Sequence, residues 1–289
     1  MIKTFDDYML LLESASIKTG PFYIENLEDV ELTAYITNRN HNSIGKLPNL
    51  YYSFDGKTYL SAKDHIKKGS GSISKGYASD EFEIDVPGHS KLYLASEGPI
   101  CLTHQNTSIP ITTKYTISPD FEFAAGGDIS WMGNFNPKKN HANPWLDLSE
   151  HENCFAELLA SSNLRDISNL TLPATKLSIG CYKGLFSFAS LEDVSMLELN
   201  ASELATKCYQ GMFENCVALT KLPSFNKEGI SEHFASRMGI KPGPQKNINP
   251  ITLKNMINQL PQSVWGWMFE DTPFDKKNKI PYRSGTYRD

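Results

Sequence analysis

The first residues of the chain carry apolar side chains at the spacing of an amphipathic helix. Phe5, Tyr8, Met9 and Leu12 stand at positions i, i+3, i+4 and i+7. The pattern predicts a short helix within residues 1–18, whose apolar stripe packs either on its own domain or on a partner subunit.

The pattern changes to short β-rich runs between residues 19 and 118. Runs such as "VELTAYIT", "EFEIDVPG" and "KLYLAS" alternate apolar and polar side chains, and turn-forming residues separate them. Regularly spaced short strands of this kind are typical of antiparallel sandwiches. The region is therefore predicted to be a β-sandwich domain.

A repeat occupies the next region, residues 119–275. The stretches "CFAELLASSNL", "CYKGLFSFASL" and "CYQGMFENCVAL" begin at Cys154, Cys181 and Cys208, one every 27 residues. Each unit is predicted to be a short helical piece followed by a turn and a strand-like Leu-x-Leu. One unit cannot cover its own apolar face, so stacking of the units would bury it and align equivalent side chains in ladders.

The phase of the repeat identifies the side chains that should form the shared interior. The three cysteines would make one inner ladder, where a small and soft side chain fits a tight repeat. The predicted repeat core consists of Cys154, Leu158, Leu164, Cys181, Leu185, Leu191, Cys208, Met212, Phe213 and Leu219.

This register resembles the BspA-like leucine-rich repeat family, whose units commonly read C-Y-x-x-M-F-x-x-C-x-x-L and then L-P-A-T-x-L. "CYQGMFENCVAL" matches the first part and "LPATKL" (172–177) matches the second. The resemblance covers residues 150–225 well and their flanks loosely. Ala189 replaces the second cysteine and "LNASEL" replaces the second phrase, so the array is expected to be short and degenerate.

The resemblance extends to the region before the repeats through "YYSFDGKTY" (51–59) and "DVPGHSKLYLAS" (85–96). It implies display and binding, because such arrays occur in surface proteins of gut and oral bacteria and related sequences occur in their phages. It implies no reaction. The predicted fold class is α+β, an N-terminal β-sandwich followed by a short BspA-like leucine-rich repeat solenoid and a basic tail at residues 276–289.

Composition and charge exclude two classes of partner. The 289 residues are 40% hydrophobic and 21% charged, with no apolar run near the ~20 residues that span a bilayer, so no membrane insertion is expected. The net charge is −5, and a nucleic-acid footprint requires clustered Lys and Arg. Nucleic acid is therefore not an expected partner.

The cysteines and the N-terminus bear on the compartment. Five cysteines, three in one repeat phase, fit free buried thiols better than a disulfide framework. Asp6 and Asp7 stand where a signal peptide would have its apolar segment. We expect synthesis in a reducing compartment, unless an export leader was removed.

The best cluster of reactive side chains lies in "HANPWLDLSEHENC" (141–154), which includes His141, His151 and Cys154. Its spacing matches no metal or catalytic motif. Ser149 followed by Glu152 forms a capping-box pattern, which predicts the start of the first repeat's helix. We therefore expect no catalytic residue, no cofactor and no metal ligand.

Tryptophans are the candidate binding residues. Trp145, Trp265 and Trp267 lie in or beside the array, where an indole ring can stack on a sugar or anchor a protein partner. Trp131 belongs to the same group. Packing in the core is the alternative interpretation of each.

Together these features predict a non-enzymatic structural or binding protein. The favoured hypothesis is a phage virion component, such as a tail, fibre or head-decoration subunit, made in the host cytoplasm. Its partners would be copies of itself or other virion proteins, and a host-surface protein or glycan. The alternative is a bacterial cell-surface adhesin whose export leader is absent from this chain. An enzyme and an intracellular interaction module are the remaining hypotheses.

Overall fold

The computed structural model describes residues 20–40, 49–68, 78–97, 101–102, 111–221 and 223–225. The predicted N-terminal helix, the basic tail, Trp265 and Trp267 lie outside the described residues. The described part of the chain contains no helix that is both long enough and apolar enough to cross a bilayer.

The larger of two main sheets has six strands in the order β13-β10-β1-β7-β3-β4. Its strands pair antiparallel except β10 and β13, which are parallel. The strands are β1 (Tyr23–Asn26), β3 (Leu50–Ser53), β4 (Leu60–Ser61), β7 (Lys91–Ser96), β10 (Phe123–Asp128) and β13 (Leu164–Thr171).

The second sheet has five antiparallel strands in the order β5-β6-β2-β9-β8. They are β2 (Leu32–Asn40), β5 (Ile66–Lys68), β6 (Ala78–Val86), β8 (Cys101–Leu102) and β9 (Ile111–Pro119). Along β2, Ala34 and Ile36 are buried while Thr33, Tyr35 and Thr37 are partly exposed. This alternation arises because successive side chains of a strand point to opposite faces. The inward side chains of both sheets belong to one buried cluster, which continues into the repeats.

Two pairs of short strands complete the described structure. They are the antiparallel pair β11 (Phe135–Asn136) and β12 (His141–Ala142), and the parallel pair β14 (Glu198–Leu199) and β15 (Ser224–Phe225). The helical elements are two short 3-10 helices, Ala62–His65 and Ile129–Met132. The described residues are therefore mostly sheet, and the α component of the predicted α+β class is not found among them.

The helical pieces predicted within the repeat units are wrong for the described residues. Residues 152–159 form consecutive turns, in which Asn153, Phe155 and Glu157 have positive φ angles of 53°, 50° and 59°. An α-helix requires negative φ at every residue, so this alternation prevents one. The predicted capping box is also absent, because the Ser149 N–H bonds the Asp147 carboxylate at 3.0 Å.

The first repeat unit joins the six-stranded sheet directly. Strand β13 of that unit pairs in parallel with β10, from Phe123 opposite Leu164 to Asp128 opposite Thr171. A hydrogen bond of 2.9 Å from the Ile117 N–H on β9 to a carbonyl of the first unit adds a link to the other sheet. The first repeat unit is thus in contact with both large sheets.

Candidate binding surface of the repeat array

The stacked units are held together by an alternating pattern of backbone hydrogen bonds. The N–H of Gly184 donates to the Gln210 carbonyl in the next unit, at 2.8 Å. Its neighbour Leu185 donates back to Tyr182 in its own unit, at 3.3 Å. Donors to the next unit in these turns are Asn153, Glu157, Leu159, Gly180, Tyr182, Gly184, Phe186 and Phe188. From Gly180 to Phe188 every second N–H is therefore used between units, while the N–H groups of Cys181, Lys183, Leu185 and Ser187 close turns.

This pattern produces two ladders of equivalent side chains. The rings of Phe155, Tyr182 and Tyr209 stack with centroid separations of 5.9 and 6.1 Å, and Phe186 stacks on Phe213 at 5.5 Å. These near-parallel pairs lie within the range of favourable aromatic contacts. The ladders make the interior continuous from one unit to the next.

The cysteines form part of the same interior. Cys154, Cys181 and Cys208 are buried and form no disulfide. Burial raises the pKa of the Cys181 and Cys208 thiols, since the thiolate cannot be solvated there. Neutral, buried thiols are poor nucleophiles and poor metal ligands, so they serve packing rather than chemistry.

The structure places all ten residues of the sequence-derived repeat core in the buried interior. Each has at most 1% of its surface exposed. They are Cys154, Leu158, Leu164, Cys181, Leu185, Leu191, Cys208, Met212, Phe213 and Leu219.

The tryptophans within the described residues pack against other rings. Trp145 is half-buried, and its ring lies against His151 at 4.6 Å and Phe155 at 6.2 Å. Trp131 is 7% exposed and stacks on Tyr59 and Phe135. Core packing thus describes Trp131, while Trp145 keeps a partly exposed edge at the start of the array.

The cluster between residues 141 and 154 does not form a metal site. His141 contacts the Trp131 ring at 5.9 Å, whereas Cys154 is buried in the cysteine ladder. Among the residues that the structure describes, no group of three His, Cys, Asp or Glu side chains is placed to hold a metal ion.

The main exposed surface of the array lies beside the buried leucines of each strand-like segment, and we call it the repeat face. Leu164, Ile167 and Leu170 are buried in β13, and Leu191, Val194 and Leu197 follow 27 residues later. The repeat face consists of the exposed or half-buried side chains between these residues, or directly after Leu197 and Leu219: Arg165, Asp166, Ser168, Asn169, Glu192, Asp193, Ser195, Met196, Glu198, Thr220 and Lys221. Sequence reasoning did not identify this face, although the Leu-x-x-(Ile/Val)-x-x-Leu spacing was a usable signal.

Ion pairs hold some side chains of the repeat face in place, and other side chains of this face are exposed and could contact a partner. Lys221 contacts Asp193 at 2.6 Å, and this contact is the main reason that the Asp193 pKa falls to about 2. Met196 has 68% of its surface exposed, with exposed Glu192 and Glu198 nearby in sequence. A mixed charged surface with one apolar anchor suits protein recognition.

A second row of charges crosses the units at another place. Lys176 lies between Asp147 of the preceding unit, at 3.4 Å, and Glu203 of the following unit, at 3.6 Å. The Asp147 contact is the main reason that the pKa of Lys176 is raised. The repeat face and this row of charges both present polar side chains from a hydrogen-bonded backbone. Such an arrangement suits binding.

Comparison with models of known protein families gives no match to this chain, and comparison with curated proteins and with solved structures gives none either.

Proposed function

We propose that the chain is a non-enzymatic structural or binding protein, in which a β-sandwich made of the two large sheets precedes a short leucine-rich repeat solenoid. The shared buried cluster of the two sheets supports the sandwich. The 27-residue ladders of buried cysteines and rings support the solenoid.

The observation that carries this proposal is the parallel pairing of β10 with β13. It joins the sheets to the first repeat unit by strand pairing, so the repeat units are held in a fixed position on the sheets. Repeat units held in this way present their surface in a constant orientation, which is what an attachment or assembly subunit needs. The function that this arrangement serves best is that of a phage virion component, such as a tail, fibre or head-decoration subunit.

The cysteines support a virion component over an exported adhesin. Four buried cysteines that form no disulfide lie among the described residues. Exported proteins fold in oxidising surroundings, where cysteines close in space tend to be paired. Folding in a host cytoplasm keeps these thiols reduced until they are buried.

A bacterial cell-surface adhesin is the second candidate. The exposed Met196 on the repeat face favours it, because an apolar anchor among carboxylates is typical of a surface that meets another protein.

Fractionation of the natural source tests both candidates. An antiserum raised against the purified chain is used to probe density-gradient fractions of a lysed culture. A virion component co-sediments with phage particles, whereas an adhesin remains with the cell envelope. Recovery solely as free protein in the soluble fraction contradicts both candidates.

A further inference from the structure

The five-stranded sheet has a solvent-facing side, which we call the outer face and which is separate from the repeat face. Its strands bury one set of side chains and turn the alternate set to solvent. Among the side chains of β2, β5, β6 and β9 whose burial the structure describes, together with the residue that follows β9, the solvent-facing set consists of Thr33, Tyr35, Thr37, Lys67, Glu81, Glu83, Asp85, Thr116, Ser118 and Asp120.

Tyr35 lies at the centre of the outer face. It is opposite Glu83 on one neighbouring strand and Ser118 on the other. A hydrogen bond with Asp120 holds the phenol oxygen and is the main reason that the Tyr35 pKa is raised. Facing residues on adjacent strands have Cβ atoms about 5 Å apart, so a planar ring is fixed among hydroxyl and carboxylate groups.

The carboxylates around this ring are already oriented. The Thr33 hydroxyl donates to Asp85 at 2.8 Å, and Lys67 contacts Glu83 at 2.5 Å. A carboxylate has about four lone-pair sites, so each can accept further hydrogen bonds after these contacts. The outer face thus offers a ring, several strong acceptors and several hydroxyl groups on one flat surface.

The composition of the outer face selects among partner classes. The solvent-facing set contains no aliphatic side chain, whereas the centre of a protein interface is usually apolar. Its described members include four carboxylates and one lysine, so this part of the face disfavours a polyanion such as nucleic acid or a sulfated glycan. A neutral carbohydrate matches both properties, because its hydroxyl groups donate to carboxylates and its C–H faces pack on a ring.

We propose that the outer face binds a neutral glycan, with the Tyr35 ring against the C–H face of one sugar and Glu83, Asp85 and Asp120 accepting hydrogen bonds from its hydroxyl groups. The site goes beyond the proposed function, since it holds for a virion component and for an adhesin alike. It also lies on a different element from the repeat face.

Calorimetric titration of the full-length chain tests the site with three neutral probes, the hexamers of β-1,4-linked glucose, mannose and N-acetylglucosamine. At least one probe should bind. Tyr35→Ala should weaken that binding by about tenfold or more, because loss of a ring contact worth ~1.4 kcal/mol changes an equilibrium constant by that factor. Tyr35→Phe keeps the ring and should bind within about threefold of the parent chain.

Phe54→Ala is the matched control, since Phe54 is an exposed aromatic residue that follows β3 of the other sheet. It should leave the affinity unchanged. If Tyr35→Ala does not fold, Asp120→Ala removes an exposed acceptor and should weaken the same probe. Failure of all three hexamers to bind, binding of a heparin fragment instead, or equal loss of affinity in Phe54→Ala and Tyr35→Ala overturns the proposal.

Discussion

At the scale of single residues, the most unusual ionisable group is Asp128 at the end of β10. Only 3% of the residue is exposed, and its carboxylate accepts a hydrogen bond of 2.8 Å from the Ser130 N–H, which caps a 3-10 helix. Burial raises the pKa of Asp128 to about 6, since the charged form loses its hydration. No ion pair of the described residues offsets this effect.

Asp128 should therefore make the free energy of unfolding larger at acidic pH than at neutral pH. The folded pKa lies above the unfolded value, so the folded chain holds the proton more tightly. The resulting stabilisation is complete below about pH 4 and is lost as pH rises through 6. A shift of about two pKa units corresponds to ~3 kcal/mol in the free energy of unfolding.

Asp128→Asn is expected to remove this dependence while keeping an acceptor for the Ser130 N–H. Urea unfolding at pH 7.5 should show the variant more stable than the parent by about 1–3 kcal/mol, and at pH 4 the difference should vanish. Equal or lower stability of the variant at pH 7.5 would mean that the buried carboxylate is stabilised by contacts other than these.

Phe213 tests the packing of the interior. It is fully buried and stacks on Phe186, so Phe213→Ala should reduce the free energy of unfolding by about 3–5 kcal/mol through lost contacts and a residual cavity. Val217→Ala is the control four residues away, where 66% of the side chain is exposed. Its effect should stay within about 0.5 kcal/mol in the same denaturation experiment.

At the scale of elements, the junction of β10 with its neighbours depends on a glycine. Gly127 has φ of +79°, and a Cβ placed there would lie 2.0 Å from the Pro21 carbonyl oxygen. That contact is with backbone, so it cannot be relieved by moving a side chain. Gly20 serves as the control, because no atom lies within 4 Å of a Cβ placed on it.

Gly127→Ala should lower the free energy of unfolding by more than about 2 kcal/mol, since it adds a strained φ to a backbone clash. Gly20→Ala should be tolerated. Thermal denaturation of the two variants measures the difference, and similar melting temperatures would show that β10 can move away from Pro21 at little cost.

The repeat units show how far their sequence determined their structure. Periodicity placed the cysteines and leucines in the interior, because any stacked arrangement with a 27-residue period aligns them. The same periodicity suggested helices, since Leu158 and Leu159 recur at helical spacing relative to Cys154. The backbone alternation is carried by residues such as Asn153, Gly184 and Asn215, and Phe155 adopts positive φ without any signal in its side chain.

The repeat face and the outer face were harder to foresee for a different reason. A strand of alternating pattern shows which side chains point outward, but not which strands become neighbours. Tyr35, Glu83 and Ser118 are far apart in sequence and adjacent only through the order β6-β2-β9. Likewise the membership of β10 and β13 in one sheet depends on a parallel pairing that no short motif encodes.

At the scale of the whole molecule, the interpretation of the chain ends remains a prediction. Residues 1–14 and 276–289 lie outside the described residues, and their composition predicts contacts with another chain. Deletion of either segment should reduce the mass of the assembly while leaving the repeat array folded. Sedimentation measures the first property and far-ultraviolet circular dichroism the second.

The matched control for these deletions is a variant that keeps both ends and changes an exposed position, such as Val217→Ala. It should assemble like the parent chain, which is expected to be a homo-oligomer and, by analogy with phage fibres, a trimer. A parent chain that sediments as a monomer at micromolar concentration contradicts the assembly hypothesis.

The alternating hydrogen bonds of the repeat units also affect how the gene can change. An N–H in one unit bonds a carbonyl 26 residues later, and the bonds of Asn153, Glu157 and Leu159 recur 27 residues on at Gly180, Gly184 and Phe186. Recombination that removes or duplicates 27 codons therefore leaves these donors facing equivalent acceptors. Loss of a single codon within a unit breaks this match, because it shifts the N–H groups that bond the next unit to positions where an N–H closes a turn. Gain or loss of whole units is therefore expected to be tolerated better than gain or loss of single residues within a unit.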